Sequence, residues 1–242
     1  MTGSLSSALI TKLIVSNQLD ADDIRAVQSL RMRQKNLEAR QHIVTDGQRP
    51  SECCLLAQGF AFRSKMTSDG ERQVLSIHIP GEIPDLQSLH LGIMDHDLVT
   101  MTPCTLGFIS HDDLIEINRQ RPSLANAFWR ETLIDGAIFR EWIVNMGRRA
   151  ALPRMANLLL EMHKRLNAIG LARDGTFDLP ITQSDLGDCL GLSTVHVNRV
   201  LQHLRKIGMV TVNRSNFHIL EPGRLEKLAG FDETYLHLRP KA

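Results

Sequence analysis

One stretch of the chain, Ile181 to Gly208, constrains its fold more than any other. Thr182 and Asp185 lie three residues apart and approximate a capping box, so a first helix should begin there. Gly191 can adopt the left-handed conformation that ends a helix, and Ser193 can cap the helix that follows. The stretch therefore predicts two short helices joined by a tight turn.

The second of these helices separates apolar from polar side chains. The apolar residues at helical spacing, which should face a core, are Val197, Val200, Leu201 and Leu204. The remaining faces carry Thr194, Val195, His196, Asn198, Arg199, Gln202 and His203. Arginine can form two hydrogen bonds with the edge of guanine and asparagine two with adenine, while valine suits a thymine methyl group. The polar face therefore indicates contacts in a DNA groove.

Two β-prone runs follow, Met209–Val212 and Phe217–Leu220, and four polar residues join them. This pattern predicts a hairpin wing with Arg214 at its tip, placed to meet a phosphate. Helix, turn, helix and wing in this order indicate a winged helix-turn-helix that reads double-stranded DNA. A helical hairpin without a DNA role is the alternative.

The amino-terminal half has a different pattern. From Glu38 to Ile109, short apolar runs alternate with turn signals and lack a sustained helical period. The runs are His42–Val44, Cys53–Phe62, Gln73–Ile79 and Leu98–Ile109. They predict a small antiparallel barrel or β-roll of the jelly-roll kind, which makes the whole chain an α+β protein.

Helical patterns flank the roll, at Ala21–Leu30, from Pro122 to about Arg148, and from there to about Asn167. We therefore expect a sensory roll with its flanking helices in residues 1–121, a long helix in 122–147 and a DNA-binding domain in 148–242. The apolar stripe of the long helix includes Phe128, Ile134, Ile138, Trp142 and Met146. This stripe predicts a parallel homodimer seam, and packing against the chain's own roll is the alternative.

Charge is distributed unevenly along the 242 residues. Residues 1–147 carry 14 Lys and Arg against 18 Asp and Glu, which gives −4, and residues 148–242 carry 14 against 9, which gives +5. A basic carboxy-terminal part suits a phosphate-binding surface. The chain has neither a long apolar run nor a secretory signal in its first fifteen residues, so we expect a cytoplasmic protein that does not enter a membrane.

Enzyme signatures are absent from the sequence. It contains no GxSxG elbow, phosphate-binding GxxxxGK[ST] loop, HExxH helix or paired-cysteine metal spacing. The dense polar cluster His111-Asp112-Asp113 is typical of a helix start. We therefore expect neither catalysis nor a metal site.

The combination resembles the Crp/Fnr family of bacterial transcription regulators across nearly the whole chain. The resemblance is carried by Ile181–Val210, Pro80-Gly81-Glu82 and Arg148-Arg149. It implies a homodimer that binds a near-palindromic DNA site and contacts RNA polymerase. The positions that match the family's base-reading residues are Thr194, Val195, Asn198 and Arg199, and those that match its phosphate contacts are Thr182, Gln183, Ser193 and His196. Val195 departs from the family's frequent glutamate, so a different half-site is expected.

The effector side of the resemblance is weaker. Cyclic-nucleotide-binding members hold the phosphate with an arginine-serine pair, and Met94-Asp95 occupies the corresponding positions here, so we expect no cyclic nucleotide. The chain has no cysteine before Cys53, which argues against an iron–sulfur cluster. A haem bound by one of His42, His78, His90, His96 or His111 stays open, as does redox control through Cys53, Cys54 or Cys104. The effector, if any, is unassigned.

A second functional class competes with this interpretation. A sensory module could bind haem, a redox signal or a small metabolite in its roll and use its carboxy-terminal domain for protein interaction. The exposed Asn198 and Arg199 argue against it, because a protein-binding helix would show an apolar stripe there.

Overall fold

A computed structural model describes residues 5–238, which form two compact units. The first unit contains residues 5–66 and Leu75–Asp135, and the second contains Thr67–Val74 and Gly136–Leu238. The outer ends of the two terminal domains expected from the sequence, residues 1–4 and 239–242, lie outside the described residues. None of the helices within residues 5–238 is long and apolar enough to cross a bilayer.

The first unit is built on seven strands in two sheets. The strands are β1 (Arg33–Leu37), β2 (His42–Val44), β3 (Glu52–Gln58), β4 (Ala61–Met66), β5 (Arg72–His78), β6 (Asp97–Thr100) and β7 (Cys104–Ser110). The sheet orders are β1-β7-β3 and β2-β6-β4-β5, and the pairs β1–β7, β3–β7, β2–β6 and β4–β6 are antiparallel. The first residues of β5 belong to the second unit. The antiparallel β domain predicted from the sequence is confirmed.

Strand β3 divides two hydrophobic cores. Cys53 and Leu55 pack in one core with residues of the surrounding helices, whereas Cys54 and Leu56 pack in the other with residues of both sheets. Successive side chains of a strand point to opposite faces, so neighbouring cysteines cannot share one environment. All four cysteines are buried and free.

Five helices accompany the roll: α1 (Leu5–Ser16), α2 (Ala21–Ser29), α3 (Ser88–Leu91), α4 (His111–Gln120) and α5 (Pro122–Arg148). Helix α2 starts at a capping box between Asp20 and Asp23. Helix α4 starts at Ser110, whose hydroxyl accepts the Asp113 amide, so the acidic cluster has the structural role expected of it. Helix α5 has 27 residues, and its bounds are those that its sequence pattern predicts. Its residues up to Asp135 belong to the first unit and those from Gly136 belong to the second.

The second unit combines helices with a small sheet. Its helices are α6 (Ala151–Ala168), α7 (Gln183–Leu190), α8 (Thr194–Lys206), α9 (Pro222–Ala229) and a 3-10 turn (Glu233–Leu236). Its strands are β8 (Ala172–Arg173), β9 (Thr176–Asp178), β10 (Val210–Asn213) and β11 (Asn216–Ile219), in the order β10-β11-β9-β8. Helix α6 packs against α7, α8 and α9, and therefore supports the two helices predicted to meet DNA.

A buried carboxylate ties the core of the second unit together. Glu161 accepts hydrogen bonds from Trp142 Nε1, Tyr235 OH and Arg165 Nη1, each at 3.0 Å. Burial raises the pKa of Glu161, and these donors oppose that rise because they stabilise the charged form. The site links α5, α6 and the 3-10 turn.

The predicted element boundaries were wrong in the roll at two points. The runs Cys53–Phe62 and Leu98–Ile109 each form two strands, because turns interrupt the chain at residues 59–60 and 101–103. The sequence patterns also did not indicate α1, β1 or β8. Strand β1 is mostly exposed, so it lacks the alternation of apolar and polar residues on which the prediction of strands depends.

Candidate nucleic-acid interface

Helix α7 begins where the sequence predicts, at a capping box. The Thr182 hydroxyl accepts the Asp185 amide at 3.1 Å, and Asp185 Oδ2 accepts the Thr182 amide at 3.3 Å. The same carboxylate oxygen also accepts the Thr182 hydroxyl at 2.6 Å. The helix ends at Gly191, which adopts the left-handed conformation with φ of 60°.

The turn between α7 and α8 requires a second glycine that the sequence analysis did not identify. A Cβ atom on Gly187 would lie 2.5 Å from the carbonyl oxygen of Leu192. That oxygen belongs to the turn, and the amide of Leu192 donates to Gly187 O at 3.0 Å. The spacing of Gly187 four residues before Gly191 was the available signal. The close approach of turn to helix fixes where α8 begins.

Arg154 on α6 secures the same region and was also missed. Its guanidinium donates to the carbonyls of Asn145 at 3.1 Å, Met146 at 3.1 Å and Arg149 at 2.9 Å, and to that of Leu190. These carbonyls lie at the ends of α5 and α7, where helices leave acceptors unpaired and a cation is favourable. Arg154 therefore holds the end of α7 and, with it, the turn to α8.

Helix α8 is capped by Ser193, whose hydroxyl oxygen accepts the His196 amide at 3.3 Å. Its buried residues are Val197, Val200 and Leu204, which confirms the predicted inward face, while Leu201 is only partly buried. The helix is thus fixed to the unit along one side, and its other side is free to carry polar residues.

The four predicted base-reading residues share the exposed side of α8. They are Thr194, Val195, Asn198 and Arg199, all exposed and spaced at helical intervals from the amino terminus. Val195 is 61% exposed although it is apolar. The structure therefore brings together an apolar contact, an amide and a guanidinium on one accessible helix face.

The predicted phosphate-contacting residues differ in the hydrogen-bond donors they offer. Gln183, Ser193 and His196 are exposed, and Ser193 uses its hydroxyl as an acceptor for the cap, so the O–H can still donate. Thr182 is exposed too, but both its hydroxyl and its amide donate to Asp185. Because a phosphate oxygen only accepts, Thr182 is the least suited of the four to contact DNA.

The wing is a tight hairpin of β10 and β11 in which Asn213 pairs with Asn216 and two residues form the turn. Arg214 occupies the exposed tip with φ of 56°, a left-handed conformation that is rare for a residue with a side chain. The amide of Leu179 donates to Ser215 O at 2.8 Å and anchors the hairpin. The predicted position of Arg214 at the wing tip is confirmed.

The predicted dimer stripe on α5 does not face outward. Phe128, Ile134, Ile138 and Trp142 are buried by the chain itself and Met146 is half-buried, so these side chains have little surface to offer a partner. The exposed large apolar residues of α5 are Trp129, Leu133, Ile143 and Val144. The apolar stripe seen in the sequence is thus the inward face, and a second set of apolar residues lies on the opposite, exposed side of the helix.

Met94 and Asp95, which stand where an arginine-serine pair would hold a cyclic phosphate, have different environments. Met94 is buried in the core between the sheets, whereas the side chain of Asp95 is 77% exposed and binds His96 Nδ1 at 2.7 Å. The acid therefore does not point into the roll. A buried cation is present instead: Arg63 donates to Pro84 O at 2.8 Å and pairs with Asp135 at 2.6 Å.

The candidate sensor residues of the roll are mostly buried. His78 lies between Ser76 and Glu82, at 2.9 Å from each, and burial lowers its pKa. Burial raises the pKa of the Cys53 thiol to about 12 and that of Cys54 well above its usual range, so the reactive thiolate is disfavoured at both. Within residues 5–238, no three His, Cys, Asp or Glu side chains are placed to hold a metal ion.

Comparison with known proteins matches the two halves of the chain to two families of domains. Residues 153–228 match the Crp-like helix-turn-helix domain, and residues 34–121 match the cyclic nucleotide-binding domain. Among curated proteins, the chain is 25% identical to the nitrogen fixation regulation protein FixK of Bradyrhizobium diazoefficiens over 93% of both chains. It is 23% identical to the transcriptional activator protein FnrL of Cereibacter sphaeroides, over 90% of this chain and 88% of that protein.

Solved structures share the fold. The structure of FixK2 from Bradyrhizobium japonicum superposes with a TM-score of 0.74 at 23% identity, covering 82% of this chain and 98% of the other. A global regulator of Xanthomonas campestris described as responsive to c-di-GMP gives a TM-score of 0.66 at 16% identity, covering 84% of this chain and all of the other. The chain therefore has the same fold as these two proteins.

Proposed function

Because the chain belongs to the Crp/Fnr family, whose members are DNA-binding transcription regulators and not enzymes, we propose that it acts as a homodimer on a near-palindromic site. The exposed polar face of α8 carries this proposal. It presents Val195, Asn198 and Arg199 on a helix that Gly187 and Arg154 hold in place. Rigid support of the reading helix favours recognition of one sequence over others.

The base contacts follow from the chemistry of that face. Arg199 binds guanine, Asn198 binds adenine and Val195 packs against a thymine methyl group in the major groove. Thr194 occupies the fourth reading position at the start of α8. This set accepts no hydrogen bond from cytosine at Val195, so the half-site differs from that of family members with glutamate there.

Phosphate contacts hold the domain on the duplex. The donors are the side chains of Gln183, Ser193 and His196, with Arg214 reaching the backbone from the wing. Thr182 fixes the start of α7 and makes no phosphate contact of its own, because its amide and hydroxyl both donate to Asp185. These contacts provide affinity that depends on salt and carry no sequence information.

The exposed face of α5 supports a parallel dimer. Trp129, Leu133 and Ile143 follow the positions i, i+4 and i+14 of a heptad pattern, which keeps them on one side of a helix that pairs with a second copy. Trp129 is 66% and Ile143 71% exposed, and large apolar side chains on one helix face favour burial against an identical face. We propose this face as the seam in place of the stripe predicted from the sequence.

The remaining assignments rest on the family. We propose three functional regions, a sensory roll in residues 1–121, the dimer helix in 122–147 and the DNA-binding domain in 148–242, with RNA polymerase as a further partner. We also propose that cyclic AMP is not the effector. The buried Arg63 already donates a hydrogen bond to Pro84 O and forms an ion pair with Asp135. The positions at which an arginine-serine pair would hold a cyclic phosphate are occupied by Met94 and Asp95.

The test is selection of bound duplexes from a random pool with the purified full-length protein, at two salt concentrations, with and without cyclic AMP and reductant. We expect a near-palindrome whose half-sites lie about 34 Å apart, one helical turn, since each subunit offers one reading helix. The near-palindrome should be recovered equally with and without cyclic AMP.

Three other outcomes would change the proposal. A single half-site without symmetry would contradict the dimer, and enrichment only with cyclic AMP would contradict the ligand assignment. Failure to enrich any sequence under every condition would favour the alternative, a sensory module whose second unit binds protein.

A further inference from the structure

Helix α7 is held by an arginine distant in sequence. Arg72, in the segment Thr67–Val74 of the second unit, donates to Asp185 Oδ1 at 2.8 Å through Nη2. Its Nη2 and Nε also reach Asp188 Oδ2 at 2.5 and 2.8 Å. The neighbouring Gln73 donates to the backbone carbonyl of Asp188 at 2.7 Å. One guanidinium therefore bridges two carboxylates on the first helix of the proposed DNA-binding motif.

The two acids create an electrostatic problem at that helix. The proposed phosphate contact at Gln183 lies two residues from Asp185 and five from Asp188. Asp185 is only 1% exposed, so solvent screens its charge poorly, and it cannot move away because it closes the capping box with Thr182. A DNA phosphate approaching the start of α7 would be repelled by both carboxylates unless a cation offsets them.

We infer that Arg72 is a positioning residue for DNA binding, which neutralises Asp185 and Asp188 and holds α7 in place for its phosphate contact. Arg72 does not itself touch DNA in this proposal, because its Nε and Nη2 donate to the two carboxylates. The inference rests on the proposed function, since it concerns the same duplex. It also assigns a role in the DNA-binding unit to the first residue of β5, which lies outside residues 153–228 of the matched domain.

A simple structural role would give a different result from charge compensation. If Arg72 serves only to stabilise α7, each variant should lose DNA affinity only in proportion to the thermal stability that it loses. If it compensates charge, removal of an acid should repair the DNA affinity that the loss of Arg72 costs. Asp188 is the acid to remove, because Asp185 also closes the capping box.

The experiment compares full-length wild type, R72Q, D188N and R72Q/D188N on the duplex selected by the wild type. Fluorescence anisotropy at several salt concentrations gives Kd and the salt slope, and thermal unfolding reports the stability of each variant. R119Q is the matched control, because it removes one positive charge from an exposed pair with Glu116 in the first unit. We expect R72Q to weaken binding about tenfold and R72Q/D188N to return within about threefold of wild type.

The salt slope separates the proposed role from a direct contact. A lost phosphate contact lowers the slope by about one unit for each subunit, whereas loss of Arg72 should leave the slope within about half a unit of wild type. The inference is overturned if R72Q binds like wild type, if the double variant binds no better than R72Q, or if R119Q weakens binding equally. Failure of the wild type itself to bind any duplex would overturn the proposed function together with this inference.

Discussion

Helices α5 and α8 each bury one face in their own chain and expose the other, but the exposed faces are chemically opposite. Helix α5 exposes large apolar side chains, including Trp129 and Ile143. Helix α8 exposes Asn198 and Arg199 with the lone apolar Val195. The proposed function assigns a different partner to each exposed face, a second copy of the helix to the apolar face of α5 and DNA to the polar face of α8.

The largest expected effect comes from placing a charge on the apolar face of α5. Ile143→Asp should convert the dimer into monomers, because two carboxylates would face each other in the seam. A monomer offers only one reading helix to the duplex, so binding to the selected duplex should weaken by about 100-fold or more. Light scattering coupled to size exclusion measures the first effect and anisotropy the second.

The matched control for this change is Ile115→Asp, on an exposed apolar residue of α4. It should leave both the oligomeric state and the affinity unchanged. A dimeric Ile143→Asp protein with wild-type affinity would show that the apolar face of α5 is not the seam.

The next effect concerns the polar face of α8. Arg199→Ala should weaken binding to the selected duplex by about 10- to 100-fold, because a bidentate contact with guanine is lost. Binding to unrelated duplexes should change far less. Arg205→Ala, near the other end of the same helix, is the control that keeps the charge loss and lacks the base contact. Equal losses for the two variants would refute the assignment of Arg199.

The inward face of α5 provides a third test, of stability and not of binding. Trp142→Phe removes the indole donor to Glu161 and should lower the free energy of unfolding by about 2 kcal/mol, with the dimer intact. Ile115→Val, at an exposed residue of α4 outside the proposed seam, is the control and should change stability by less than about 0.5 kcal/mol.

The cost of Trp142→Phe should also depend on pH. Burial raises the pKa of Glu161 in the folded protein, so Glu161 loses its proton and becomes charged only as the pH rises through that raised value. The indole N–H stabilises the carboxylate more than the neutral acid. The variant should therefore lose more stability at pH 8 than at pH 5, measured by urea unfolding. Equal losses at the two pH values would show that the bond does not depend on the charge of Glu161.

The smallest effect is expected at the wing. Arg214→Ala should weaken specific and unrelated duplexes alike, by about threefold, and lower the salt slope by about one unit for each wing. Alanine meets the same backbone strain as arginine at this φ, so folding should not change. Arg173→Ala, an exposed arginine on β8, is the control and should bind like wild type. A loss restricted to the specific duplex would place Arg214 on a base instead of a phosphate.

The two helices also show what a sequence can predict. The bounds of α7 and α8 follow from local signals, the caps at Thr182 and Ser193 and the stop at Gly191. The inward face of α8 follows as well, because this helix has one apolar stripe. Helix α5 has two apolar stripes, and spacing alone cannot say which of them the rest of the chain covers.

Contacts between distant parts of the chain could not be predicted. Arg72 and Asp185 are 113 residues apart, and Arg154 and Leu190 are 36 apart. Each arginine looks like an ordinary surface cation in the sequence, since its partners are set by the fold. The direction of Asp95 was likewise hidden, because the strand that follows it, β6, fixes which residues of that segment point inward.

The backbone conformation of Arg214 means that selection for heat resistance and selection for DNA affinity favour different residues at this position. A side chain with φ of 56° carries a strain of about 1 kcal/mol that glycine does not. Random mutagenesis screened only for heat resistance should therefore favour glycine at this position, and the resulting protein would melt later while holding its duplex less tightly. Thermostability is consequently a misleading guide to function at the wing, because the residue that strains the turn is the one proposed to contact the DNA backbone.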